Sequence, residues 1–123
     1  MKLVQLSQRN KKMTIKKAEI KYNNKIAGIL TQDENGYHFI YDEKYLESSS
    51  PEPVSLTMPL KEKKFNSNIL FPFFDGLIPE GWLLAIAEKN WKLNSRDRMG
   101  LLLACCKDCI GAVSVHPIND VDG

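Results

Sequence analysis

Apolar and polar residues alternate in the first half of the chain, whereas apolar residues recur at helical spacing in the second half. Alternation with a period of two places one set of side chains on each face of a strand. Recurrence every three or four residues places them along one side of a helix. The pattern therefore predicts an α+β fold, in which a small antiparallel β-sheet carries a cluster of about three helices on one face.

A meander of three strands is predicted at the start of the folded region. Asn23-Asn24 separates the first two strands, since asparagine accepts the positive φ of a two-residue hairpin turn. In the second strand, period-two spacing places Ile26, Gly28 and Leu30 on one face. An Asp-Glu-Asn-Gly turn then leads into the third strand.

Two further strands and a short helix are predicted around this meander. One helical turn covers residues 42–46, and residues 54–60 alternate as a strand that Pro59 cuts short. A charged connection follows at residues 61–64. Residues 111–115 are predicted to form the final strand.

Three longer helices are predicted in the second half. The first begins at a Ser67 or Asn68 cap and ends at Gly76, the second starts at Pro79, and the third starts at Asn94. Ser and Asn side chains accept hydrogen bonds from the first free amides of a helix. Proline suits the first helical position because its missing N–H is not needed there.

Composition indicates one globular domain with a basic N-terminus. The 123 residues include 43% hydrophobic and 26% charged side chains, which is enough apolar surface for one core. Residues 1–25 carry eight Lys or Arg side chains against one acid, and the remainder carries nine against fourteen. We expect a flexible basic arm at residues 1–15, one domain at residues 16–118 and a tail at residues 119–123.

Hydropathy and cysteine content indicate the compartment. No apolar run reaches the roughly 20 residues of a membrane span, and the N-terminus lacks the apolar stretch of a secretory signal. Cys105, Cys106 and Cys109 are clustered and odd in number, which is a poor disulfide framework. We therefore expect a cytoplasmic protein. A zinc site needs a second cysteine pair, so small core thiols are the favoured interpretation of Cys105 or Cys106.

Catalytic chemistry is hard to assemble from these residues. His38 and His116 alternate with apolar neighbours, as outward-facing strand residues do. No glycine-rich phosphate-binding loop is present, and Phe74-Asp75-Gly76 has the letters of a kinase metal-binding motif in the wrong order. We expect a binding module that is not an enzyme and takes no cofactor or metal. Only the basic N-terminal arm is a candidate for contact with nucleic acid.

The segment 71–82 is the most informative part of the sequence. Six large apolar side chains lie within these twelve residues, interrupted by Pro79-Glu80-Gly81. Two helices meeting at this corner can bury most of the six, and Phe73 and Leu77 are predicted to be core. Trp82 can either join that core or be lifted by the corner onto a surface, where tryptophan is a common interface anchor.

Three motifs in order resemble a known family. They are Ser-Leu-Thr-Met-Pro-Leu at residues 55–60, Phe-Phe-Asp-Gly-Leu-Ile-Pro-Glu-Gly-Trp at residues 73–82, and Asp-Cys-Ile-Gly-Ala-Val at residues 108–113. Together they resemble the N-terminal subdomain of HipA-type serine/threonine kinase toxins, over about residues 18–117. In that family the subdomain precedes a kinase core that bears every catalytic residue. This sequence reaches Gly123 without such a core.

The resemblance implies a specific role. A free-standing subdomain is similar to the HipS-type antitoxins of three-gene HipBST modules, which neutralise a HipA-like kinase, HipT, while HipB is a separate DNA-binding protein. We therefore expect an antitoxin that binds a HipT- or HipA-like kinase, in a complex that can include a HipB-like protein. The alternatives are a non-neutralising structural or promoter-binding subunit and an excised N-terminal part of a HipA-like kinase. The predicted partner-binding residues are Phe74, Asp75, Pro79, Glu80, Gly81 and Trp82.

Overall fold

A computed structural model describes residues 15–81, 97–106 and 111–118. Five antiparallel strands form one sheet in the order β4-β3-β2-β1-β5. The strands are β1 Lys16–Tyr22, β2 Lys25–Asp33, β3 Gly36–Tyr41, β4 Lys64–Ser67 and β5 Val113–Pro117. The helices within the described ranges are α1 Glu43–Glu47, α2 Pro72–Asp75 and α3 Arg98–Cys105. The predicted α+β class is confirmed.

The meander of β1, β2 and β3 forms as predicted. Asn23 and Asn24 have φ values of 51° and 69°, so both turn residues adopt the left-handed conformation that a type I′ hairpin requires. Gly36 ends the second turn with a φ of 117°, which favours glycine, and a Cβ there would lie 2.5 Å from the Ser67 carbonyl oxygen. α1 lies at the predicted helical turn.

A β-bulge in β2 overturns one prediction from the strand pattern. Ile20 pairs with Gly28 but Lys21 pairs with Ile26, so Ala27 is an extra residue on β2. The extra residue shifts the alternation by one position. Ala27 and Gly28 are both buried, whereas Ile26 is 43% exposed. The prediction that Ile26 shares the inner face with Gly28 is therefore wrong.

Residues 54–60 form turns and not the predicted strand. The buried Tyr41 hydroxyl donates to the Met58 carbonyl oxygen at 2.5 Å and accepts from the Val54 N–H at 3.0 Å. Because one side chain satisfies both backbone groups, this segment closes into a loop instead of pairing with a strand. The fourth strand is β4, which begins at Lys64, the last residue of the predicted charged connection.

α2 is shorter than the predicted first helix. Ser67 ends β4, so the helix does not start at a Ser67 or Asn68 cap but at Pro72, where proline occupies the first helical position. Gly76 caps the C-terminus of α2, and this boundary was predicted from the sequence. Ser67 belongs to the sheet and residues 68–71 form a non-helical connection, so only residues 72–75 are helical.

α3 begins later than the sequence indicates. The Asp97 side chain accepts from the Gly100 N–H at 3.0 Å, which makes Asp97 the N-cap. The predicted start at Asn94, and most of the helix predicted from Pro79, lie outside the described residues. The predicted final strand is confirmed as β5, although it starts at Val113 and extends to the Pro117 that was expected to stop it.

The core lies between the inner face of the sheet and the helices. Phe39 of β3 meets Phe74 of α2 with ring centroids 5.8 Å apart. The largest fully buried side chains are Ile20, Leu30, Phe39, Tyr41, Met58, Phe74, Met99, Leu101, Leu102, Cys106 and Val115. Within residues 15–81, 97–106 and 111–118, no helix is long and apolar enough to cross a membrane.

Candidate partner-binding surface

α2 and the turn after it carry most of the residues predicted to bind a partner. Phe74 is fully buried, with the Phe71 and Phe73 rings 6.2 and 5.2 Å away between centroids. A side chain without exposed surface cannot touch a partner in this conformation. Phe74 therefore fixes α2 on the core and so positions the residues that follow it.

Phe73 and Leu77, predicted as core, lie at the edge of the core. Both are partly buried and pack against it, while Phe74 and Ile78 occupy the interior positions. The reason is the length of α2: its four residues end before a continuous helical face can align Phe73 with Leu77. Ile78, at 5% exposure, is the last buried residue before the corner.

Asp75 ties α2 to α3 through an ion pair with Arg98. The Asp75 carboxylate accepts from Arg98 Nε at 2.6 Å and from Nη2 at 3.3 Å, a two-pronged arrangement. The hydrogen bond that Arg98 donates to Asp75 raises the pKa of the Arg98 guanidinium. Both side chains stay partly accessible to solvent, at 32% for Arg98 and 40% for Asp75. Asp75 is thus paired with Arg98 within the chain, and part of its side chain remains exposed to solvent.

A second ion pair fixes the start of α3 to the sheet. Lys16 Nζ of β1 donates to both carboxylate oxygens of Asp97, at 3.3 and 3.1 Å. Asp97 therefore caps α3 and anchors it to the edge of the meander at once. α3, to which Asp75 ties α2, is therefore held by polar contacts at the surface and by apolar contacts in the core.

The corner, residues 79–81, is a run of three exposed residues in this segment. Pro79, Glu80 and Gly81 are all exposed, directly after the buried Ile78. A Cβ added to Gly81 would have no heavy atom within 4 Å among the described residues, so the backbone there faces open space. Trp82, the predicted anchor, lies outside the described residues.

The two histidines lie on strands away from the corner. His38 Nδ1 is 2.7 Å from Asn66 Oδ1, and Nε2 is 3.0 Å from Asp33 Oδ1. These hydrogen bonds, with Asn66 contributing most, raise the pKa of His38. His116 Nε2 lies 2.8 Å from Ser114 Oγ. No group of three or more His, Cys, Asp or Glu side chains in the described ranges could hold a metal ion.

The cysteines lie at the end of α3. The Cys105 and Cys106 sulfurs are 3.2 Å apart, and Cys106 is fully buried with its Sγ 3.5 Å from the Leu77 carbonyl oxygen. The interpretation of Cys106 as a small core residue is confirmed. Cys109 falls outside the described residues.

Sequence reasoning missed one surface feature, the Leu56 turn (residues 55–58). Leu56 is 94% exposed at its tip, although Val54 and Met58 on either side are buried. The alternating letters indicate a strand with Leu56 facing inward. Ser55 and Thr57, followed by Pro59, were the available signal for a turn, since hydroxyl side chains and proline favour turns.

Comparison with known proteins identifies the family. The family profile described as "HipA N-terminal domain" matches residues 18–116. An uncharacterized protein of Haemophilus influenzae is 34% identical over 89 residues, which cover 72% of this chain and 80% of that protein. A putative kinase of Sinorhizobium fredii is 27% identical over 106 residues, which cover 85% of this chain and 25% of the kinase.

The fold agrees with this assignment. A solved structure of the N-terminal domain of HipA toxin superposes with a TM-score of 0.70 at 25% identity, over 89% of this chain and 98% of that one. The described sheet and helices are thus the fold of that domain. The chain belongs to the HipA N-terminal domain family and is a HipA-related component of the toxin–antitoxin class.

Proposed function

We propose that this protein is an antitoxin that binds and neutralises a HipA- or HipT-like serine/threonine kinase, as HipS-type proteins of tripartite modules do. The observation that carries the proposal is the extent of the matches. The shared region is a quarter of the putative kinase but four fifths of the Haemophilus influenzae protein. A relative that consists mostly of this domain is what a separate, partner-binding subunit would resemble.

The corner is suited to contact such a partner. It emerges directly after Ile78 and is exposed, while Phe74 and the Asp75–Arg98 pair fix the helix before it. A segment that is ordered before binding loses less conformational entropy on association. Pro79, Glu80, Gly81 and Trp82 would make the contact, the outer edge of Asp75 would border it, and Phe74 would support it from the core.

The proposed role is one of binding without catalysis. Inhibition would take place in the cytoplasm, with no cofactor, and the kinase would supply all the chemistry. A HipB-like DNA-binding protein could join the same complex through the kinase. Trp82 is the proposed anchor, because tryptophan supplies a large contact area with few rotatable bonds.

Co-expression tests the proposal. A HipA- or HipT-like kinase from the same organism is induced in bacteria with wild-type protein, Trp82→Ala or Trp91→Ala, the last making the same change at the other tryptophan. We expect wild type and Trp91→Ala to restore growth and Trp82→Ala to fail, with circular dichroism showing that each variant is folded. Growth arrest with wild type present would refute the antitoxin function. Full rescue by Trp82→Ala would refute only the role of Trp82.

The excess of basic residues near the N-terminus favours a second candidate, a promoter-binding accessory subunit. Eight Lys or Arg side chains against one acid in residues 1–25 could contact phosphates. Deletion of residues 1–15 would then weaken operator binding and reduce its salt dependence, measured with and without the HipB-like partner. If the deletion leaves operator affinity unchanged at every salt concentration of a series, this function is excluded.

A further inference from the structure

Leu56 is the most exposed large apolar side chain among the described residues, with 94% of its surface open to solvent. Single exposed leucines are common on protein surfaces and carry no information by themselves. Leu56 differs because the turn that carries it is fixed at both ends and internally. The fold therefore holds Leu56 in an exposed position.

A set of hydrogen bonds holds the Leu56 turn. The Tyr41 hydroxyl joins its two ends, through the Val54 N–H at 3.0 Å and the Met58 carbonyl oxygen at 2.5 Å. Inside the turn, the Met58 N–H donates to the Ser55 carbonyl oxygen at 3.0 Å. The Thr57 N–H donates to Ser55 Oγ at 3.2 Å, and the two hydroxyls lie 3.0 Å apart. The leucine is presented on an ordered backbone.

The Leu56 turn connects with the corner through α2. Thr57 and Met58 line an open trough of about 400 Å³ together with Phe71, Pro72 and residues of β4. Pro72 is the first residue of α2, and the chain runs from α2 through Ile78 to the corner. The turn thus borders the trough, and α2 leads along the chain from the trough to the corner.

The three corner residues, even with Trp82 added, are too few for a stable interface. A buried tryptophan supplies about 150–250 Å². A standard protein–protein interface takes about 800 Å² from each partner, several times that area. A kinase held at the corner must therefore contact neighbouring surface as well. The Leu56 turn is a preordered apolar projection beside the trough, and Leu56, at 94%, is more exposed than Ile69, at 66%.

We propose that Leu56 is a second anchor of the kinase interface and inserts into an apolar pocket of the partner kinase. This inference rests on the proposed antitoxin function. Tyr41 acts as a positioning residue, because its hydroxyl sets the shape of the turn without reaching its surface.

Binding measurements with purified proteins test the inference. A kinase-inactive variant of a HipA- or HipT-like kinase from the same organism is titrated with wild type, Leu56→Ala and Leu56→Asp. We expect Leu56→Ala to raise Kd about 10- to 100-fold, in the range for loss of an apolar anchor, and Leu56→Asp to raise it further. Because Leu56 is 94% exposed, neither change should lower Tm.

Ile26→Ala is the matched control. Ile26 is also an exposed branched aliphatic residue, at 43%, but it lies on β2 at the hairpin end of the sheet. We expect this variant to bind like wild type. If Leu56→Ala and Leu56→Asp both keep the wild-type Kd, Leu56 is not an anchor and the antitoxin function stands. If wild type itself does not bind the kinase, both proposals are overturned.

Discussion

Removal of the Tyr41 hydroxyl tests how the loop between β3 and β4 is held. In Tyr41→Phe the ring remains in the core, where Tyr41 is 1% exposed, and a single oxygen is lost. That oxygen serves two backbone groups, the Val54 N–H and the Met58 carbonyl oxygen. Val54 and Met58 are themselves 4% and 2% exposed, so water does not readily replace the hydroxyl.

The expected loss of stability follows from these two groups. A buried backbone group left without a hydrogen-bond partner costs about 1–3 kcal/mol. Partial opening of the loop relieves part of this cost, so we expect Tyr41→Phe to lower the free energy of unfolding by about 2–4 kcal/mol. For a chain of this size, that corresponds to a fall in Tm of roughly 8–16 °C.

Urea and thermal unfolding followed by circular dichroism measure this loss. Tyr22→Phe is the control, because the Tyr22 hydroxyl donates to an exposed Glu52 carboxylate at 3.1 Å and its removal should change stability by less than about 0.5 kcal/mol. Equal stability of Tyr41→Phe and Tyr22→Phe would refute the reasoning that the Tyr41 hydroxyl closes the loop. Tyr41→Phe should also weaken kinase binding if the Leu56 turn is an anchor.

Three further predictions concern the sheet and core. Gly28→Ala should lower the free energy of unfolding by about 1–3 kcal/mol in urea titrations, because its Cβ would lie 2.5 Å from the Ile40 carbonyl oxygen. Since hydrogen bonds raise the pKa of folded His38, its stabilising contribution is present at low pH and lost as pH rises through that pKa. Wild type should therefore exceed His38→Gln in stability by more at pH 5 than at pH 8, and an NMR titration should give His38 a pKa above 6.5. Phe74→Ala should cost about 3–5 kcal/mol by calorimetry, since Phe74 is fully buried.

The sequence by itself determined the features that depend on neighbouring residues. Asn23 and Asn24 form the first hairpin turn because two adjacent residues accept positive φ without help from the rest of the fold. Gly76 also ends α2 as predicted, although with an ordinary helical φ of −70°. The motifs at residues 55–60, 73–82 and 108–113 resemble one family in the right order, and this assignment is confirmed over residues 18–116.

Only the tertiary structure decided features that depend on a distant partner. Ala27 forms a bulge because the residues on both sides of it pair with consecutive residues of β1. The sequence of β2 alone does not show this register. Ser67 joined β4 instead of capping a helix because Tyr37 of β3 lies opposite it. The residues around Asp75 give no sign of an ion-pair partner, because Arg98 lies 23 residues later in the chain. In the fold, the two side chains lie against each other.

The Leu56 turn shows the same division most clearly. The sequence of residues 54–60 alternates, and alternation alone predicts a strand with Leu56 facing inward. The Tyr41 hydroxyl lies 17 residues from Met58 in the chain, and its two hydrogen bonds make the turn more favourable than the strand. Local spacing therefore determined that Val54 and Met58 are buried, whereas a long-range hydrogen bond decided that Leu56 points outward.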